Sequence, residues 1–472
     1  MSITLTGEQK RILTLPLVNP IQLKGVAGSG KTTVAIYRAK HLLANTDDLF
    51  RVTRVCIFSY SNSLIKYVRC IMGNDVNYQN RIQVATFHKW AYSFLWNKNF
   101  WLNHSVAKDN LICDIISACL TELRAIYPKR AILSKTPEFY KEEISWLKGR
   151  QTTSQEEYLE AKRVGRGTAD RVTSQDKELL WKLYSDYCRK LKERNCVDFD
   201  DYALLVIEYL EKDTNFKPPF SHIVVDEAQD LTPAQLVVIT KLVNSETNSL
   251  TIIADAAQRI YKSGFTWSGL GINIRGGRTV ELKHNYRNTR QVADAAVSLL
   301  LHDPQQSDFS EHVLPERDGP KPKILFLPNG EQKKFLIKKL KEIDFTKQSA
   351  AILHRNRQGN TNLSFDLKSA GFNPLNIIEP QVREIHSVGL YTCTMPSVKG
   401  LEFDHVFLCD MNDDLIPYPQ GFSDENDELH ISTERRLVYT CMTRARETLH
   451  IIYTGQPSRY LSEIDPVTVE RE

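Results

Sequence analysis

Short apolar runs that stop at polar or aromatic residues recur in the first part of the chain, near Ile21 and at Val55 to Phe58, Gln83 to Ala85, Ile223 to Val225 and Leu250 to Ile253. Runs of this length between turn residues predict buried strands, and the helical spacing of Ala35, Ala39, Leu42 and Leu43 predicts a helix after the first of them. From Trp90 to Phe220 the pattern becomes helical, with long stretches at Leu111 to Leu123 and Leu179 to Leu191. The simplest reading is a helical domain inserted into an α/β sheet. A second strand series starts after Leu282, near Ile324 to Leu327, Ala350 to Leu353, Leu390 to Thr394, Val406 to Cys409 and Leu449 to Tyr453. The lysine-rich helix Glu331 to Ile343 lies between its first two members and should turn Phe335, Leu336, Leu340 and Ile343 to the sheet. The predicted boundaries are 1–91 and 221–281 for one lobe, 92–220 for the helical insertion and 282–472 for a second lobe. In open parallel sheets ligands bind at the carboxyl ends of strands, so the residues that follow each run should converge on one crevice.

Two of those run ends carry chemistry. Ile223 to Val225 stops at adjacent carboxylates, Asp226 and Glu227, bounded by Pro218-Pro219 and Thr232-Pro233. Paired acids at a buried strand end need a metal or a proton to settle their charge; taken alone, the pair also suits a solvated strand end. The stretch Gly25-Val-Ala-Gly-Ser-Gly-Lys31-Thr32-Thr33 decides between these, because it matches GxxxxGK[ST] in strand-loop-helix context. Backbone N–H groups around Gly25, Gly28, Ser29 and Gly30 can curl round phosphate oxygens, Lys31 can reach the β and γ phosphates, and Thr32 can offer its hydroxyl to magnesium. Nucleotide binding with Asp226 on the same cation follows.

Composition narrows the class without naming a partner. The 472 residues are 42% hydrophobic and 25% charged with a net charge of +4, an ordinary balance that permits nucleic acid but does not require it. Nine cysteines without a CxxC pair indicate neither a disulfide framework nor a zinc site. The N-terminal stretch lacks the basic and apolar regions of a signal peptide and no apolar run is long enough to span a membrane, so a cytoplasmic protein is expected. Lys162 to Arg171 is basic and glycine-punctuated, which suits either a phosphate-contacting loop or a solvated one; the acidic loop from Asn412 to Glu434 reads as solvated.

The ordered set of short blocks resembles the UvrD/Rep-like helicases of superfamily 1 across nearly the whole chain. Besides the phosphate loop these are Gln9, Thr86-Phe87-His88, Asp226-Glu-Ala-Gln-Asp230, Asp255-Ala-Ala-Gln258, Asn285-Tyr-Arg287, Lys399-Gly-Leu-Glu-Phe403 and Thr443-Arg-Ala-Arg446. The resemblance implies an α/β fold of two RecA-like P-loop NTPase lobes with parallel sheets, and an ATP- and Mg2+-dependent motor on single-stranded DNA and duplex/single-strand junctions. It implies that Glu227 activates the attacking water, Gln258 senses the γ-phosphate, and Arg287 and Arg444 neutralise the leaving γ-phosphoryl. Gln9 would read adenine, Tyr286 stack on it and Glu402 contact the ribose; taken alone, Tyr286 reads as a core residue and Glu402 as a surface residue. For nucleic acid it implies Tyr60, Thr86, His88, Tyr261, Trp267 and Arg355.

The chain also departs from the family's pattern. Pro396 stands where a histidine is usual, and Trp267 lies beyond an extra Lys262-Ser-Gly-Phe and precedes Ser268 instead of arginine. About twenty residues separate Phe372-Asn-Pro374 from Thr394, where longer relatives insert a mobile accessory domain. That domain is expected to be missing, as is a nuclease domain after Arg446. Two functions are therefore open: a 3'-to-5' translocase and DNA helicase, or an ATP-gated DNA-binding subunit of a larger assembly, for example with a nuclease partner. RNA is the runner-up substrate.

Overall fold

A computed structural model of the chain describes residues 5–46, 53–59, 65, 80–135, 137–161, 172–255, 267–274, 276–304, 313–328, 330–379, 382, 385–417 and 428–472. Its first sheet contains β1 (Ile21–Gly25), β2 (Val55–Phe58) and β3 (Ile82–Ala85). After a two-stranded ladder, β4 (Ser105–Val106) with β5 (Cys196–Val197), the chain returns to the sheet as β6 (His222–Val225), β7 (Ser249–Ala254) and β8 (Thr279–Leu282). The strand order is β3-β2-β6-β7-β1-β8, and all pairs are parallel. Alternation along each strand divides the core between the two faces. Cys56, Phe58, Ile223 and Val225 enter one apolar cluster, while Val55, Ile57 and Val224 enter the other.

The second sheet is built in the same way from β9 (Lys323–Phe326), β10 (Ser349–His354), β11 (Leu375–Asn376), β12 (Gly389–Thr394), β13 (Phe403–Leu408), β14 (Ala445–Tyr453) and β15 (Glu470–Arg471). Its order is β11-β12-β10-β13-β14-β9-β15, again all parallel. Ala351 and Leu353 face one cluster, and Ala350 and Ile352 the other. Leu336 and Leu340 of the lysine-rich helix are buried on that second face with Phe335 and Ile343 packed beside them, as their spacing predicts.

The boundaries differ from the sequence reading in two places. The helices Phe87–Asn97 and Asp201–Lys212 continue into or lie within the predicted insertion, yet Trp90, Leu95, Tyr202, Val206 and Leu210 pack into the core of the first sheet. A separate helical core is formed instead by residues between Ala107 and Leu191, on the helices Asp109–Ile126, Pro137–Gly149, Gln155–Glu160 and Ser174–Glu193. Periodicity identifies a helix but does not say which sheet its apolar stripe covers. Leu282, placed in the second lobe by the sequence reading, is the last residue of β8 and pairs with Gly25. No helix among the described residues is long and apolar enough to cross a membrane.

Two imidazoles shielded from water, His222 buried and His450 partly buried, give the fold a defined acid response. Burial, reinforced by the charge of Arg38, pushes His222 down to about 4, and burial with Lys339 beside it does the same to His450. Both folded-state values lie below the ordinary 6.5, so the stability they contribute is complete above that pH and is lost as pH falls towards 4. The melting temperature should drop over this window. His450 stacks on Phe407 with centroids 4.9 Å apart, so His450→Phe should retain the packing and flatten the drop; an unchanged slope would show that His450 does not contribute to it.

Candidate active site

β1 ends at Gly25, and the loop that follows turns at Gly28 and Gly30 with φ of 75° and 81° before the helix Lys31–Thr46 begins. Both glycines are required: a Cβ at Gly28 would collide with the Asn285 amide, and one at Gly30 with the Gln9 amide. Ser29 braces the turn by donating to the Val26 carbonyl at 2.8 Å. The ammonium of Lys31 is held inside the loop, donating to the carbonyls of Gly25 (2.9 Å) and Val26 (3.0 Å) and pairing with Asp255 at 2.9 Å. Asp255 follows β7, so the sheet itself sets this contact.

β6 delivers the acids beside the loop. Thr32 donates its hydroxyl to Asp226 at 2.9 Å, and Glu227 adopts a left-handed φ of 56° that turns the chain sharply out of the strand. A non-glycine residue there is strained, which accords with a working position. Burial and the neighbouring Glu227 push Asp226 up to about 7. Burial also opposes ionisation of Glu227, but Lys399, Lys31, the Gln229 amide and Arg444 outweigh it and hold the carboxyl below its ordinary value. Gln229 donates to Glu227 at 2.6 Å. Asp226 has no ion-pair partner among the described residues, and a buried carboxylate beside a hydroxyl fits a divalent cation carried in with phosphates.

The second lobe closes the cleft. Arg287 donates from Nε to Glu402 at 2.7 Å, and Arg444, 1% exposed, donates to the carbonyls of Thr440 (2.8 Å) and Leu401 (3.2 Å). Burial and the nearby Arg287 bring Arg444 down to about 10, so it remains a cation at neutral pH. Lys31, Thr32, Thr33 and Glu227 face Arg287, Glu402 and Arg444 across one cleft. Lys399, to which its motif alone assigns no role, crosses between lobes to Glu227 (3.5 Å) and Asp230.

The other expected positions are less uniform. Gln9 donates to the Ser29 carbonyl at 2.9 Å, and Tyr286 is 47% exposed beside the loop, its backbone N–H donating to Gly28 at 3.0 Å. Thr86 is buried and caps the helix Phe87–Asn97 by accepting from the Lys89 N–H, so its hydroxyl serves the fold. Arg355 is held by Glu434 in a two-pronged pair at 2.9 and 2.7 Å, a contact that spacing along the chain gives no sign of. His88 is partly buried against Phe199 and Tyr202, and Trp267 packs against the first core. Tyr60, Gln258, Tyr261 and the basic loop 162–171 lie outside the described residues.

Comparison with known proteins matches residues 5–265 to the UvrD/REP helicase N-terminal domain and residues 379–456 to the UvrD-like helicase C-terminal domain. The chain belongs to the UvrD/REP helicase family. Its two parallel sheets are the two RecA-like lobes of that family, and the cleft lies between them. The ATP-dependent DNA helicase PcrA of Leuconostoc citreum is 24% identical over 385 residues, covering 74% of this chain and 47% of that protein. PcrA of Staphylococcus epidermidis is 24% identical over 308 residues (61% and 38%). The ATP-dependent DNA helicase srs2 of Schizosaccharomyces pombe is 25% identical over 359 residues (71% and 39%). The chain thus spans about half the length, or less, of the curated relatives it matches.

Proposed function

We propose that the chain is an ATP-dependent motor that moves 3' to 5' along single-stranded DNA and separates duplex at a junction. The observation that carries this reading is the cleft, where a phosphate loop and two acids of one lobe face two arginines of the other. A phosphate oxygen would compete with Asp255 for Lys31, while Thr32 and Asp226 would hold magnesium, which when bound neutralises charge on the phosphates. Glu227 accepts the proton of the water that attacks the γ-phosphorus as the bond to the β-phosphate oxygen breaks and ADP leaves. Arg287 and Arg444 meet the charge that develops, which requires the lobes to be closed. Hydrolysis is thereby tied to relative motion of the lobes, and stacking of bases on aromatic side chains would convert that motion into steps regardless of sequence.

The second sheet bears on strand separation. Only residues 377–388 lie between β11 and β12, two neighbouring strands, so no further domain intervenes there. Opening duplex works against stacking of about 1.4 kcal/mol per step. The expected result is strong ATP turnover on single strands, with slow opening of a 3'-tailed duplex and none of a 5'-tailed one in single-turnover assays. Preference for the 5' tail would overturn the direction. Fast, processive opening by the chain alone would show that no protein partner is needed.

A further inference from the structure

The segment 283–289 is the crossing point between the lobes: β8 ends at Leu282 in the first sheet, and the helix Arg290–Leu300 packs into the core of the second lobe. Two asparagines stand on it. The Asn285 amide lies so close to Gly28 that a Cβ there would collide with it, and the Tyr286 N–H donates to the Gly28 carbonyl at 3.0 Å, so this end rests on the phosphate loop. Asn285 Oδ1 accepts from the backbone N–H groups of Arg287 (3.0 Å) and Asn288 (3.2 Å), while its Nδ2 donates to Asn288 Oδ1 at 2.8 Å. Asn288, fully buried, then turns its own Nδ2 to the second lobe and donates to the carbonyls of Thr443 (3.1 Å) and Ala445. Those are the residues on either side of Arg444. The Thr443 carbonyl also accepts from Arg287 at 3.4 Å, and the Thr443 hydroxyl accepts from Arg444 at 3.2 Å. Thr289 caps the helix by accepting from the Val292 N–H, so starting the helix does not call for the Asn288 amide.

We infer that Asn288 is a positioning residue for hydrolysis, holding Arg444 in register with Arg287 and, through the Asn285 amide, with the phosphate loop. The inference rests on the reading of the cleft as an ATPase site. The Arg444 guanidinium donates to Thr440 and Leu401, contacts that fix it within its own lobe and carry no information about the phosphates. Asn288 supplies the missing link. Both donors of one planar amide are committed to the backbone around Arg444, which therefore cannot turn without breaking a buried hydrogen bond. Groups that meet developing charge act through placement, and an error of about 1 Å costs up to ~10²-fold in rate.

The test combines DNA-stimulated phosphate release at saturating ATP, ADP titration and a melting curve on the full chain, each variant being assayed at a temperature where it is folded. Asn288→Ala leaves both carbonyls unmet, so kcat should fall roughly tenfold to a hundredfold while ADP affinity is nearly unchanged. Asn288→Ser keeps one shorter donor and should fall between the alanine variant and wild type; it provides the measurement if the alanine variant does not fold. Placed on Arg444→Ala, Asn288→Ala should cost little more, because the group it positions is gone, whereas a residue that serves the fold alone would cost the same in both backgrounds. Wild-type kcat in whichever of the two Asn288 variants folds, equal losses in both backgrounds, or a loss confined to ADP affinity would overturn the inference while leaving the ATPase site in place. Absence of turnover in wild type would overturn the reading of the cleft itself.

Discussion

Glu227→Gln should reduce ATP turnover at least a hundredfold while leaving nucleotide binding in place, because in the proposed mechanism it removes the proton acceptor without changing the side chain's size. General-base catalysis is worth ~10² to 10⁴ in rate. The amide is the same size as the carboxylate, and Lys399 keeps its second partner, Asp230, so the buried network is conserved in shape. Lys31→Ala should abolish turnover by a different route, since the loop loses the cation that would hold the β and γ phosphates and Asp255 loses its partner. Phosphate release and nucleotide titration together separate the two: the glutamine variant should bind and not turn over, and the alanine variant should bind weakly. Near-normal DNA-stimulated turnover by Glu227→Gln would remove Glu227 from the role of base.

Removing either arginine should cost turnover far more than it costs DNA binding. An arginine acting on the γ-phosphoryl contributes ~10³ to 10⁵ in rate, so a loss below about tenfold, or ~1.4 kcal/mol, would argue against that role. Arg287→Ala is the cleaner variant, as Arg287 is partly exposed and its pair with Glu402 reaches into the cleft. Arg444 is buried and donates to Thr440 and Leu401 carbonyls, so its truncation leaves acceptors unmet as well. Arg444→Lys with a melting curve separates the kinetic loss from the structural one. Arg446, half-exposed and 3.6 Å from Asp404, provides the control at which substitution should leave turnover nearly unchanged.

The parts of this molecule that could be read from the chain are those whose cause is local. Val55 to Phe58 and Ile223 to Val225 form strands because every residue is apolar and turn residues bound them, and both faces of the sheet are covered. The phosphate loop was legible because Gly28 and Gly30 serve a backbone need that few other residues meet. What could not be read depends on where distant segments come to rest. β11 and β15 are two residues long and carry no period. The stripe on Asp201–Lys212 covers the first sheet and not the helical core, which only the packed partners reveal. Pairing of Lys399 with Glu227 and Asp230, and of Arg355 with Glu434, joins residues far apart in sequence.

Whether this cleft is the ATPase centre of a motor that acts on nucleic acid is tested most directly by phosphate release from ATP with and without single-stranded DNA, with RNA as a parallel arm. Slow release by the chain alone, strong stimulation by single-stranded DNA and weaker stimulation by RNA are expected. Turnover that neither polymer changes would contradict this reading.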